Sequence, residues 1–247
     1  MKKTLDILPA DSPARVASDA GEDDSKLSRR ALRRKRLEAK QRAEEARRDL
    51  AASKPVVAAE DKPPLLLHTC CAPCSTSVIE QLEDRFDIRS YWFNPNIQPR
   101  EEFDRRLEEN RRYAQALEMP FAVEETHVKH WFERMKGVER APEGGERCVR
   151  CYEMRLEWTA EAAVKQGIPY VASVMSVSPF KVSREINRIG TALGDEMGFT
   201  FVDEDFKKRD GFKRSLELSD ALGLYRQDYC GCVFQMREIR ERRRERA

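Results

Sequence analysis

The strongest constraint on the fold of this chain is a regular alternation of short apolar runs with amphipathic stretches after residue 64. The apolar runs predict strands at 65–67, 88–93, 121–123, 169–174 and 200–202. The stretches between them predict helices at 77–85, 100–117, 148–166, 182–197, 213–221 and from 233 onward. This order predicts an α/β fold in which a mostly parallel sheet is covered by helices on both faces.

The first quarter of the chain has a different composition. Residues 27–50 combine alanine and leucine with many charged residues, which predicts an exposed helix capped by Asp24 or Ser25, or a solvated tail. A basic arm that contacts RNA is the alternative interpretation. Residues 51–64 are typical of a linker. We therefore divide the chain into a charged extension with its linker at 1–63 and one α/β domain at 64–247.

Targeting signals and charge narrow the functional classes. The chain has no apolar run long enough to span a bilayer, and its first ten residues form only a broken apolar stretch. These features predict a cytoplasmic protein that is not embedded in a membrane. The net charge is only +2, so contact with nucleic acid would need local basic patches. Candidate patches are Arg147 with Arg150, residues 207–209 and residues 237–246.

The cysteines carry the most specific chemical signal. The chain has seven cysteines. An odd number of cysteines is poorly suited to a disulfide framework, and a reducing cytoplasm would not preserve disulfide bonds. Cysteines that only fill the core would be scattered through the helices and strands. All seven instead fall in three tight groups: Cys70, Cys71 and Cys74, then Cys148 and Cys151, then Cys230 and Cys232. This grouping predicts metal binding or redox chemistry.

Spacing within the groups suggests what each one does. Cys71 with Cys74, and Cys148 with Cys151, have Cys-x-x-Cys spacing, which suits zinc or an iron-sulfur cluster. Both pairs lie at predicted helix starts and far apart in sequence, unlike a compact zinc ribbon, and helix N-termini favour thiolates and an anionic cluster. A single glycine separates the last two cysteines, and this flexible spacing favours a redox-active dithiol over a structural pair.

Four segments together resemble a known family. They are His68-Thr69-Cys70-Cys71-Ala72-Pro73-Cys74, residues 146–152 with Arg155 and Leu156, Ser178-Pro179-Phe180-Lys181, and Tyr225-Arg226-Gln227-Asp228-Tyr229-Cys230-Gly231-Cys232. In this order they resemble the cobalamin-independent epoxyqueuosine reductase family of the QueH type, over nearly everything from residue 65 to 234. The resemblance implies an oxidoreductase of queuosine biosynthesis that reduces epoxyqueuosine to queuosine at the wobble position of tRNA, with electrons from an external donor. It also implies a fold similar to the nucleotide-binding α/β group that includes the PP-loop enzymes.

The resemblance also implies roles for individual residues. Cys70, Cys71, Cys148 and Cys151 match the ligand positions of an iron-sulfur cluster, which we take as [4Fe-4S]. Cys230 and Cys232 match a redox-active pair that can form a disulfide bond. Beyond the family pattern, we hypothesise a second, mononuclear metal, iron, held by Cys74 with Cys230 or Cys232. The candidate catalytic residues are then Cys230, Cys232, Cys74 and Lys181, and the candidate substrate contacts are Tyr225, Arg226 and Gln227.

Two other functional classes stay open at this point. A PP-loop-like tRNA-modifying transferase would need a glycine-rich phosphate loop after the first strand, and residues 68–77 contain no glycine. A zinc-stabilised, non-catalytic RNA-binding module would bind zinc and leave the Cys-Gly-Cys segment without a purpose. The sequence leaves the oligomeric state open.

Overall fold

A computed structural model describes residues 62–245 of the chain. Within this range, five strands and seven α-helices form one α/β domain. The strands are β1 (Pro64–Thr69), β2 (Asp87–Trp92), β3 (Phe121–Val123), β4 (Tyr170–Ser173) and β5 (Thr200–Phe201). The helices are α1 (Ala72–Leu82), α2 (Arg100–Ala116), α3 (Val128–Arg134), α4 (Glu146–Gln166), α5 (Ser183–Met197), α6 (Gly211–Ala221) and α7 (Val233–Arg244).

All five strands pair in parallel, in the order β3-β2-β1-β4-β5. The chain therefore moves outward from β1 through β2 to β3, then returns to the other side of β1 for β4 and β5. Because crossovers between parallel strands are right-handed, the crossover helices of the two halves cover opposite faces of the sheet. In agreement, α1 packs with α2, whereas α4 packs with α5. The helix after the last strand, α6, returns to the first face and packs with α1. The predicted α/β architecture is confirmed.

The central strand is buried on both faces. Leu65, Leu66 and Leu67 of β1 are almost inaccessible to solvent, because a parallel strand between two helical layers has no solvated side. The edge strand β5 is short and is covered closely by α5, where a Cβ atom on Gly190 would lie 2.5 Å from the ring of Phe201. The sheet therefore offers a rigid platform for groups at its carboxyl edge.

Several predicted boundaries differ from the structure. The first helix begins at Ala72, five residues before the predicted start, because Pro73 suits the first turn of a helix. The predicted strand 169–174 ends at Ser173, where a 3-10 helix over Val174–Val177 follows. The segment around His127 and His130, to which the sequence pattern assigns no helix or strand, contains α3, which Trp131 anchors in the core.

The predicted helix at 27–50 and most of the predicted linker lie outside the described residues. The last linker residues do contact the domain, since Lys62 Nζ donates to the carbonyl of Glu83 at 2.6 Å. None of the helices between residues 62 and 245 is long and apolar enough to cross a membrane.

Candidate active site

The candidate site lies where the strand order reverses. β1 and β4 are neighbours, but the chain leaves them toward opposite sides of the sheet, and such a switch point opens a crevice beyond the carboxyl ends of the strands. Cys70 follows β1 directly, and the 3-10 turn that leads to Lys181 follows β4. The topology therefore brings together two segments that the sequence separates by about 100 residues.

The first cysteine group surrounds the N-terminus of α1. Cys71 caps this helix with extended backbone geometry, and the thiols of Cys70, Cys71 and Cys74 are buried and hydrogen-bond to one another. Hydrogen bonds from Cys71 and Cys74 lower the pKa of Cys70, while the bond to Cys70 raises the pKa of Cys71 to about 11. Hydrogen bonds with the same two neighbours raise the pKa of Cys74. Of the three thiols in this group, Cys70 is therefore the one that ionises most readily.

The second group occupies the first turns of α4. The backbone N–H of Gly144 donates to Cys148 Sγ at 3.3 Å, and the indole N–H of Trp131 donates to Cys151 Sγ at 3.4 Å. Burial raises the pKa of both thiols. Two N–H donors therefore point at sulfurs that are otherwise poorly solvated, an arrangement that suits metal-bound thiolates.

The third group lies on a tightly held loop before α7. Gly231 has φ of +102°, a backbone conformation that favours glycine, and its carbonyl accepts from the N–H of Gln98 at 2.8 Å. Arg106 donates to the carbonyls of Cys230 at 3.0 Å and Tyr229 at 3.1 Å. The side chain of Gln235 accepts from the N–H of Cys230. Both thiols are free.

Lys181 is the charged partner of this loop. Its Nζ lies 3.0 Å from Cys230 Sγ, and the side chain comes from the turn that follows β4. Burial works against the charge of the ammonium group, but attraction to Cys230 raises the pKa of Lys181 well above its ordinary value. Lys181 is therefore protonated, and it can stabilise a negative charge in the cavity.

One cavity joins the second and third groups. Cys148, Cys151, Cys230 and Cys232 contribute to its wall together with Lys181, and the other lining residues are Trp131, Glu143, Arg147, Tyr152, Arg155, Phe180 and Gln235. Arg155 connects the cavity to the first group, because its side chain also hydrogen-bonds to Cys70 and donates to Asn94 Oδ1 at 2.7 Å. All three groups therefore lie around two cations, the buried Arg155 and the half-buried Lys181.

The donors that this site offers are mainly thiols. Among residues 62–245, no three His, Cys, Asp or Glu side chains form a preformed site for one metal ion. An iron-sulfur cluster held by four thiolates is anionic. The positive charges of Arg155 and Lys181 lie beside these cysteines and would offset such a negative charge.

The three residues predicted to contact the substrate, Tyr225, Arg226 and Gln227, lie in different surroundings. Tyr225 Oη lies 3.0 Å from Glu102 Oε2, and Arg226 donates to Ser215 and Ser219. Gln227 lies beside the first cysteine group, where its side chain hydrogen-bonds to Cys71 and its buried Oε1 has no partner among the described residues. Of the three, Gln227 alone touches one of the cysteines.

Some residues of the site were not predicted from the sequence. Arg106 and Gln235 hold the Cys-Gly-Cys loop, and Trp131 donates to Cys151, yet none belongs to a recognisable motif. Arg106 lies 124 positions before Cys230, so only the fold brings them together. Arg147, proposed above as part of a basic surface, is instead buried and paired with Glu238 at 2.7 Å. His68, at the end of β1, is buried, and its Nδ1 lies 2.9 Å from Ser173 Oγ.

Comparison with known proteins identifies the family. A family model described as epoxyqueuosine reductase QueH matches residues 65–238. Relatives named epoxyqueuosine reductase QueH include one from Staphylococcus epidermidis, 38% identical over 70% of this chain and 76% of its own length. Another relative, from Haemophilus influenzae, is 39% identical over 73% of this chain and 75% of its own length. A third, from Thermotoga maritima, is 33% identical over 73% of this chain and 94% of its own length. This chain therefore belongs to the epoxyqueuosine reductase QueH family.

Proposed function

We propose that the chain is an oxidoreductase that converts epoxyqueuosine in tRNA to queuosine, acting in the cytoplasm. The observation that carries this proposal is the convergence of the three cysteine groups at the switch point, where four thiols line the cavity and Arg155 links it to Cys70. The buried Arg155 and the half-buried Lys181 add positive charge. Removal of an epoxide oxygen breaks both C–O bonds, forms a carbon–carbon double bond and releases water. The balanced reaction consumes two electrons and two protons, so the site has to supply both.

We propose that Cys70, Cys71, Cys148 and Cys151 hold a [4Fe-4S] cluster. Such a cluster supplies electrons one at a time when it is bound. The chain contributes the thiolates, the N–H donors of Gly144 and Trp131 that hydrogen-bond to their sulfurs, and the positive charge of Arg155 beside Cys70. Hydrogen bonds to the sulfurs and buried positive charge favour the reduced, more negative state.

Cys230 and Cys232 are proposed as the two-electron store of the site. Oxidation of the two thiols to a disulfide releases two electrons and two protons, which is the amount that one deoxygenation consumes. An external thiol or electron-transfer protein then reduces the disulfide for the next turnover. The hydrogen bonds that Arg106 and Gln98 donate to the loop backbone support this role, because they keep both reduced thiols at the cavity wall.

Lys181 is proposed as the proton donor to the epoxide oxygen. A developing alkoxide is stabilised by a preorganised cation in a site that excludes water. The ammonium group is half-buried, charged and 3.0 Å from Cys230 Sγ, and it lines the cavity together with both thiols of the pair. Nζ of Lys181 loses one proton to the alkoxide. One of the two protons that the thiols release on forming the disulfide then restores the ammonium group, and the other completes the water molecule.

The proposed function is tested in bacterial cells that lack their own epoxyqueuosine reductase. Expression of the chain should replace epoxyqueuosine by queuosine in nucleosides digested from bulk tRNA and separated by mass spectrometry. Cys148→Ser should leave epoxyqueuosine in place, and Arg112→Gln, a change at an exposed position of α2, should behave as the wild type. Unchanged epoxyqueuosine with the wild-type chain, at normal expression, would refute the proposal.

Metal analysis of anaerobically purified protein tests the cofactor. We expect about four iron and four sulfide per chain with visible absorption, and loss of both in Cys148→Ser. Additional iron without additional sulfide would support the mononuclear site. Stoichiometric zinc in a colourless protein that resists reconstitution would instead support the RNA-binding module.

A further inference from the structure

Phe180 is an unusual residue at the mouth of the cavity. Its side chain is 58% exposed, the largest value among the exposed large hydrophobic residues between positions 62 and 245, the others being Val123, Phe132 and Val164. Of these four, Phe180 alone lines the cysteine cavity. More than half of this ring is in contact with water, so it contributes little to packing, and packing alone does not explain an aromatic side chain here.

The loop that carries Phe180 directs two neighbouring side chains in opposite directions. The N–H of Phe180 donates to Ser178 Oγ at 3.3 Å, and the N–H of Lys181 donates to the carbonyl of Ser178 at 3.2 Å. In this turn Lys181 is half-buried and reaches Cys230, whereas the ring of Phe180 stays at the solvent side of the same cavity. The ring is therefore held at the entrance, one residue from the proposed proton donor.

We propose that Phe180 is a stacking platform for an unpaired base of the tRNA anticodon loop, next to the nucleotide that enters the cavity. This inference rests on the proposed function. A nucleotide that enters a narrow cavity loses stacking on its neighbours, and proteins replace that stacking with an exposed aromatic face. The position of the ring at the rim, outside the lining cysteines, suits the flanking base rather than the base that carries the epoxide.

The binding contribution of such a ring has a known scale. Alanine substitution at a base-stacking aromatic weakens binding by roughly 5- to 150-fold. Because stacking depends on a flat π-surface and not on sequence, Phe180→Tyr and Phe180→Trp should retain binding. Phe180→Leu keeps an apolar side chain of similar size but has no ring, so it should resemble Phe180→Ala.

The test uses the full chain and an anticodon stem-loop with 2-aminopurine beside the wobble nucleotide, since the fluorescence of this base falls when it stacks. The wild type should quench the fluorescence, Phe180→Trp and Phe180→Tyr should do the same, and Phe180→Leu and Phe180→Ala should not. On epoxyqueuosine-containing tRNA, the alanine variant should show a raised KM with a smaller change in kcat. Val164→Ala, an exposed apolar truncation near the far end of α4, is the matched control.

The outcomes separate this inference from the proposed function. If the wild type reduces epoxyqueuosine and Phe180→Ala keeps the same quenching, affinity and KM for tRNA, the stacking role is wrong. A raised KM for the electron donor alone would assign the ring to a protein partner and would also overturn it. If the wild type binds and quenches the stem-loop but reduces no epoxyqueuosine, the proposed function fails while the stacking role stands.

Discussion

At the residue scale, Arg106 illustrates how one buried cation organises the site. It donates to two carbonyls of the Cys-Gly-Cys loop and to Glu102 Oε1 at 2.6 Å, and only 2% of its side chain is exposed. The planar fork of the guanidinium group serves all three acceptors at once, which the single ammonium group of lysine does not match. In the proposed mechanism Arg106 is thus a positioning residue for Cys230, since it contacts the backbone of the loop and not the thiols.

Replacement of Arg106 should therefore cost both stability and turnover. We expect Arg106→Gln to lower the free energy of unfolding by about 3–5 kcal/mol, because it removes the charged partner of Glu102 and the hydrogen-bond donor to two carbonyls. Arg106→Lys should recover part of this loss and part of the multiple-turnover rate. Arg112→Gln on the same helix, where the side chain is 70% exposed, should change stability by about 0.5 kcal/mol or less. Equal denaturant midpoints for Arg106→Gln and Arg112→Gln would contradict the positioning role.

His68 gives the domain a pH dependence of known sign. Burial and the charge of Arg155 lower the pKa of His68 from 6.5 to about 3 in the folded protein. Between these two values the unfolded chain binds a proton that the folded chain does not, so stability is complete above pH 6.5 and falls as the pH falls toward 3. His68→Gln should show a flatter decline in denaturant unfolding over this window. A decline as steep as that of the wild type would exclude His68 as its source.

At the element scale, the Cys-Gly-Cys loop depends on its glycine for two reasons. Gly231 has φ of +102°, and a Cβ atom there would lie 3.0 Å from Ile97 Cγ1 and 3.1 Å from Arg106 Nη1. A side chain at this position would strain the backbone and would push the loop away from Arg106, which donates hydrogen bonds to it. The loop is therefore a fixed element that presents the dithiol, in contrast to a flexible tail.

Gly231→Ala should be much more damaging than alanine at a glycine with free space around it. Gly137 has φ of +83° with no atom within 4 Å of the added Cβ, so Gly137→Ala should cost only the backbone strain, about 1–2 kcal/mol. Gly231→Ala should cost more and should lower multiple-turnover activity, which can be measured alongside thermal unfolding. Similar losses for the two variants would show that the contacts with Ile97 and Arg106 are unimportant.

The elements of this fold were largely predictable, and the reasons for the exceptions are physical. Buried parallel strands such as β1 are short apolar runs, and Gly167 ends α4 in the left-handed conformation that favours glycine. α3 was missed because it is only seven residues long and is stabilised by burial of Trp131, a tertiary effect that periodicity cannot reveal. The start of α1 was placed too late because a cysteine-rich run has no helical periodicity, although Pro73 marks the first turn.

At the scale of the whole molecule, the sheet order explains which site residues were predictable. The cysteine motifs were visible in the sequence because each group is local, whereas Arg106 and Trp131 reach the site only through the crossovers of the fold. Lys181 was recognised within a motif, but its contact with Cys230, 49 residues away, required the switch point between β1 and β4. Motifs thus predict the chemistry of the site, and topology supplies the residues that tune it.

The domain boundary predicted near residue 64 leads to a test on a shortened chain. A protein that begins at Lys62 keeps β1 and the contact of Lys62 with Glu83, and the family match begins at residue 65. We expect this shortened chain to retain cluster content and kcat on epoxyqueuosine-containing tRNA. Loss of activity in a folded, cluster-containing protein would show that the first 61 residues take part in catalysis.

The most direct test of the central claim is the product formed by the purified chain. Anaerobic protein with a full complement of iron and sulfide is incubated with excess reductant and tRNA that carries epoxyqueuosine, and the nucleosides are analysed by mass spectrometry. We predict a nucleoside lighter by one oxygen, formed in many equivalents per enzyme by the wild type and in about one equivalent or less by the double variant Cys230→Ser with Cys232→Ser. Epoxyqueuosine that remains unchanged in the presence of cluster-containing wild-type protein would contradict the assignment of this site as a reductase.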